Sequence, residues 1–452
     1  MDNLSFIELT ERAYRYIRQF TIKNASDALI ELITNCNDAY NIAEQTSVIN
    51  TRLFEIEYHA PDVLLMRDQA LGLSADDLQK CFLQIGNFTS DNNSRGFFSR
   101  GAKDISAIGD ITFSTVYNNK FSQCYLNTDA YGNILISDVD ATEEIRSKYK
   151  IAGNGLEVKI NLLPNQQGIN IQTLYSSICK LAVLRDIVSN DKNVIMLRQY
   201  DNTNSLTFEQ RITYTKPSGI VLLDVTYEVK DYDGALARLV IYKADNMIQQ
   251  PRIDSEMEFG FLIKDCTSIY EISTFDKRFR WDPYMPYLYG FLYCDKIHEL
   301  LIDYDKNGVS PMNPFPIVDP SRLTGLNEAH PFIINLFSIP LVRLDNILRE
   351  LNKSISEKSI TMTEIDDILD ELAKFGLDII DNEQINIAYV DDYDAKLATE
   401  IASAREQYIR SEYNYLLSSN VSSGTRDVDR DIYDQIKVIE ESLSNSRSSL
   451  AS

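Results

Sequence analysis

The sequence predicts an α+β fold: an α/β sandwich, then a smaller α/β domain, then a helical tail. Three observations predict it. Two amphipathic helical patterns come first. A run of alternating strands with turn residues between them follows and ends near Pro164. From Phe337 onward the apolar spacing is helical again.

Residues 4–20 and 24–45 carry the two opening helices. "LFEIEYH" (Leu53–His59) alternates like a strand, and "VLLMRD" (Val63–Asp68) is a short apolar one. "SADDLQKCFLQI" has Ser74 before Asp76 and Asp77, a helix start. A polar stretch, Gly86–Asp104, has three glycines and little periodicity. "ISAIGD" reads as helical. "ITFSTVYNN", "FSQCYLN", "NILISDV" and "LEVKINLL" alternate as strands and complete a largely antiparallel sheet. Residues 170–190 look helical. A second strand pattern opens near residue 208 with "TFEQRITYT", "GIVLLDVTYEV" and "ALARLVIYKA", the last two joined by a "KDYDG" hairpin turn. The predicted domains are therefore 1–165, 166–336 and 337–452.

Composition narrows the class. The net charge is −23. Residues 341–452 are densely acidic, with 12 Lys and Arg against 23 Asp and Glu. Such a chain does not coat nucleic acid nonspecifically, although a local basic groove is compatible with it. Six single cysteines and no C-x-x-C pair argue against structural zinc and a disulfide framework. No basic leader precedes an apolar segment, and no apolar run suffices to cross a bilayer. The expectation is a cytoplasmic or nuclear protein away from membranes.

The opening helix holds an anomaly. In "ALIELITNCNDAYN" the polar residues Glu31, Asn35 and Asp38 are spaced i, i+4, i+7 and share one stripe beside the apolar face. Downstream, Asp68 ends a strand and Gly72 follows in "RDQALGLS". "GFFSRGAKD" contains Gly96, Gly101 and Lys103, and "GNGLEVKI" sets Gly155 and Leu156 at a strand start. Other patterns fail. "GFFSRGAK" lacks the P-loop Gly-Lys-Ser/Thr ending. "DYDKNG" (Asp303–Gly308) has Pro314 where an EF-hand needs a bidentate Glu, and reads as a turn. His59, His298 and His330 share no ligand spacing.

In this order the motifs resemble those of the GHKL ATPases: gyrase B, the ninety-kilodalton heat-shock chaperones, MutL, histidine-kinase catalytic domains and the MORC proteins. The resemblance spans roughly residues 20–165, and the lid motif is most similar to the MORC type. "ELITNCNDA" fits the E-x-x-x-N-x-x-D-A helix at every position. Ala70, Ser99, Asp91 and Leu156 depart from the family pattern; Leu156 stands where the family has Thr after Gly.

The resemblance implies a Bergerat-type sandwich binding ATP and Mg²⁺. Glu31 would activate water, Asn35 would ligate Mg²⁺, and Asp38 would line the pocket. Asp68 would accept from the adenine amino group, and Gly72 would let the backbone approach the base. Gly96, Gly101 and Lys103 would wrap the phosphates, and Leu156 would sit near adenine. Lys264, or secondarily Lys277, would report the γ-phosphate from a transducer-like second domain. No histidine precedes the nucleotide helix, which argues against a kinase. The implied activity is ATP hydrolysis driving an ATP-dependent homodimeric clamp, closed through segment 1–20, on DNA or a protein complex. The alternative is a non-hydrolysing, nucleotide-gated scaffold.

Overall fold

A computed structural model describes residues 22–46, 49–83, 101–129, 131–249, 254–318 and 325–356. The fold is α+β, with two mixed sheets and several helices.

Helix α1 (Ala25–Glu44) starts where Asn24 takes an extended conformation and its side chain accepts from the Asp27 backbone N–H. Its buried face carries Ala28, Leu29, Leu32, Ile33, Cys36 and Tyr40, at helical spacing. β1 (Arg52–His59) and β2 (Val63–Asp68) pair antiparallel. Ser74 caps α2 (Ala75–Leu83), accepting from the Asp77 N–H at 3.1 Å. β3 (Gly109–Tyr117), β4 (Lys120–Leu126), β5 (Gly132–Asp140) and β6 (Gly155–Leu162) continue the sheet, with α3 (Glu143–Tyr149) before β6. Helix α4 (Ile171–Lys180) and a single turn, Arg185–Val188, precede β7 (Asn193–Tyr200) and β8 (Leu206–Ile212).

The first sheet has eight strands in the order β5-β4-β3-β6-β2-β1-β7-β8. The expected boundary at 165/166 therefore falls inside the first unit. β7 pairs parallel with β1 over Arg52–His59, and β8 follows it. The sequence signals no strand over 193–200, because Val194, Ile195, Met196 and Leu197 are a continuous apolar run rather than an alternation. Parallel pairing across the intervening strands is not a local signal.

The second sheet comprises β9 (Gly219–Glu228), β10 (Leu236–Ala244), β11 (Gly260–Lys264), β12 (Ile269–Ser273) and β13 (Leu288–Tyr293), in the order β12-β11-β13-β10-β9. The β9–β10 hairpin turns at Asp231 and Gly234, both at positive φ. Helices α5 (Lys296–Asn307) and α6 (Pro331–Ser356) complete this unit. Asp303–Gly308 is the end of α5 rather than a separate turn; Gly308, at φ +73°, ends it and donates its N–H to the Tyr304 carbonyl. The expected boundary at 336/337 falls inside α6. Phe332, Ile333, Leu336, Phe337 and Leu344 of α6 are fully buried in the second core. Among the described residues α6 supplies the one segment, Pro331–Lys353, long and apolar enough to cross a membrane, where the sequence reading expected none. Of its most apolar window 72% is buried inside the molecule.

Candidate functional site

Three of the sequence motifs meet under α1. Cys36, on the buried face of the motif helix, donates its thiol to Asp68 Oδ2 at 3.3 Å. Asp68 Oδ1 accepts from the Ala70 backbone N–H at 2.8 Å. The carboxyl group is 2% exposed. Burial pushes its pKa up to about 6, and hydrogen bonds from Ala70, Cys36 and the Leu156 backbone hold it from rising further. Ala70 is not at positive φ, so an alanine carries no left-handed strain there.

The glycines are needed for close approach. Gly72 has φ +70°, and a Cβ there would lie 2.1 Å from the Val116 carbonyl oxygen. A Cβ on Gly155 would lie 2.4 Å from the Asp68 carbonyl oxygen. The turn after β2 is thus pressed between the ends of β3 and β6. Thr115 staples it: its hydroxyl accepts from the Leu73 N–H at 2.8 Å and donates to the Gly155 carbonyl at 3.1 Å. Leu156 pairs with Thr115 across β3 and packs on the first core.

On α1, Glu31 and Asp38 are half-buried and Asn35 is exposed. Tyr40 anchors the helix: its hydroxyl donates to the Leu53 carbonyl at 2.8 Å and accepts from the Gln69 N–H at 3.0 Å. Asn37 accepts from Arg52 at 3.1 Å. Cys36, Tyr40 and Thr115 escaped the sequence reading, because single residues inside helix and strand patterns carry no spacing signal.

The remaining predicted residues fall elsewhere. Gly96 lies outside the described residues, as do segment 1–20 and residues 357–452. Gly101 opens a four-residue helical turn, Gly101–Asp104, that packs against α1. Lys103 on this turn is 2% exposed, and burial pushes its ammonium down to about 8. Lys264, at the end of β11, donates to both carboxylate oxygens of Asp186, at 3.2 and 2.9 Å. Lys277 is exposed on the β12–β13 connection. Among the described residues no three His, Cys, Asp or Glu side chains cluster to hold a metal by themselves.

No family model and no curated protein matches the chain. Among solved structures, the crystal structure of the N-terminal domain of a DNA repair protein is similar over 62% of this chain and 86% of that one, with 11% identity and a TM-score of 0.39.

Proposed function

We propose that the chain is a GHKL-type ATPase with a Bergerat-type nucleotide site, opening and closing a dimeric clamp on DNA or a protein complex. The observation that carries the reading is convergence. Residues distant in sequence, Cys36 on the motif helix, Asp68, Gly72 and Gly155, lie in direct contact or close approach. A solvated amphipathic helix and an ordinary strand-end turn have no reason to meet at a buried carboxylate.

In this reading the ionised Asp68 accepts from the adenine amino group, because a carboxylate is acceptor-only. The Gly72 turn keeps the backbone close to the base. Bound Mg²⁺ supplies charge stabilisation at the phosphates. The Asn35 side-chain carbonyl, exposed on α1, is an oxygen ligand suited to it. Glu31, one turn earlier, accepts the proton of the attacking water. Asp38 lines the same stripe.

Steady-state phosphate release from Mg-ATP tests this, with wild type beside Glu31→Ala. Hydrolysis is expected to fall by about 10²–10⁴-fold with nucleotide binding retained. Loss of binding in Glu31→Ala would assign that residue a different role. A specific observation favours the second reading, a non-hydrolysing scaffold: the two cations expected at the phosphates are engaged elsewhere, Lys264 with Asp186 and Lys103 in the interior. Binding of ATP with no turnover in wild type would select that reading.

A further inference from the structure

The chain has one tryptophan, and folding does not bury it. Trp281 is 74% exposed, the most of any large apolar side chain among the described residues. It closes a short helical turn, Phe279–Trp281, in the connection between β12 and β13. The sequence there is Lys277-Arg278-Phe279-Arg280-Trp281: three cations and no anion, in a chain of net charge −23.

The turn is pre-organised. The Phe279 N–H donates to the Asp276 carbonyl at 3.1 Å, and the Asp282 N–H to the Phe279 carbonyl at 3.0 Å. Asp282 also accepts from the Tyr284 N–H at 2.8 Å and from Asn352 of α6 at 2.9 Å. Phe279 packs against the second core, so the turn is anchored from below while Trp281 projects. The Arg280 guanidinium lies 5.7 Å from the indole centroid. A groove of about 360 Å³ runs beside the turn, lined by Phe279 and Asp282 and, on α6, by Asp345, Arg349, Asn352 and Lys353. Arg278 pairs with Asp276 at 3.0 Å and Arg349 with Asp345 at 2.8 Å. Both pairs are partly solvent-exposed, the kind that contributes little and exchanges readily for another anion.

A flat aromatic face with one guanidinium beside it and two further cations in the same turn matches an unpaired base with its neighbouring phosphates: the base stacks and the phosphates pair. A protein partner would instead call for apolar neighbours around the indole, as at an interface core. Here its chain neighbours are both polar: the Arg280 guanidinium, and Asp282, whose carboxylate is already held by the Tyr284 N–H and Asn352. A duplex keeps its base faces stacked on each other. We propose that the Lys277–Trp281 turn is a docking site for single-stranded nucleic acid, with a base on Trp281 and the backbone on Lys277, Arg278 and Arg280. This goes beyond the nucleotide-site reading and does not depend on it.

Because Trp281 is the sole tryptophan, its fluorescence reports this site alone. The full chain, without ATP, is titrated with an oligothymidylate of about 12 nucleotides, within the span such sites cover. Indole emission and the anisotropy of a labelled strand are both read. Saturable quenching is expected, with log K falling against log salt at a slope of about −2 for three phosphate contacts. Trp281→Ala should weaken the anisotropy-read affinity about 5- to 160-fold, a change equivalent to one stacked base. The double variant Arg278→Glu, Arg280→Glu should abolish binding, with unchanged circular dichroism melting as the folding control. Absence of quenching would overturn the proposal, as would affinity unchanged in Trp281→Ala. Equal quenching by a duplex or by polyglutamate would also overturn it, since the turn would then read charge or protein. Failed phosphate release leaves this result untouched, so the two readings fail separately.

Discussion

The first sheet buries charge on the face opposite α1 and α4, whereas the strands of the second bury almost only apolar side chains. In the first, Arg67 is 2% exposed and sits between Glu55 and Glu157 on the neighbouring strands, with ion-pair distances of 3.2 and 2.8 Å. Glu57 lies 3.5 Å from Arg67 and accepts from Lys150 at 2.8 Å. Burial raises the Glu57 pKa, but Lys150 and Arg67 more than offset it and leave it low; at Glu157 burial wins over Arg67 and the value is raised. In the second unit Phe259, Phe261, Phe332 and Phe337 are fully buried, and Phe275 stacks on Phe261 at 4.8 Å. An apolar core accepts many packings of equal volume. A ladder of carboxylates around one guanidinium accepts one strand register, because every other register leaves a buried charge unpaired. The sheet that carries the candidate site is thus the one with its register specified by charge.

The contrast between the two sheets depends most on Arg67. Arg67→Ala should cost about 3–5 kcal/mol, because it leaves Glu57 and Glu157 buried without their cation. Urea unfolding measures it; a loss below about 1 kcal/mol would make the network equivalent to ordinary surface pairs. Next, the two units should respond to acid in opposite directions. His330 is buried and neutral: its Nδ1 accepts from the Phe332 N–H at 3.1 Å, its Nε2 meets Asn313 Oδ1 at 3.1 Å, and burial pushes its pKa down to about 4. Its folded value lies below the unfolded one, so its contribution is complete above about pH 6.5. About 3 kcal/mol is lost as pH falls to about 4. Asp68 is the reverse. Its folded value, about 6, lies above the unfolded one, so its contribution is complete below about pH 4. About 3 kcal/mol is lost as pH rises past 6. Stability measured against pH should flatten on the acid limb in His330→Gln and between pH 4 and 6 in Asp68→Asn. If both variants parallel wild type, neither group titrates as placed. If Asp68 holds adenine as proposed, ATP affinity read by equilibrium titration should rise over the same pH range as its carboxyl ionises. The smallest effect sharpens the picture at α1. Asn24→Ala removes the cap of the motif helix and should cost about 1 kcal/mol by thermal unfolding. A larger loss would mean that the helix start also positions the Cys36–Asp68 contact.

Much of this molecule was legible from residues alone. Helix α1 and its Glu31–Asn35–Asp38 stripe, the Ser74 start, strands β1–β6 and the β9–β10 hairpin stand where their spacing and turn residues put them. Each is decided within a few residues, by a period of 3.6 or 2, a capping oxygen or a left-handed turn residue. Tertiary structure alone decided three other features. It added β7 and β8 to the first sheet, because a parallel partner is chosen by surfaces far apart in the chain. It brought Cys36 to Asp68 and Thr115 to the Gly72 turn, since a buried polar group must find whichever donor packing delivers. It tied Lys264 to Asp186, because a lysine's partner depends on what its strand end faces and not on its neighbours in sequence.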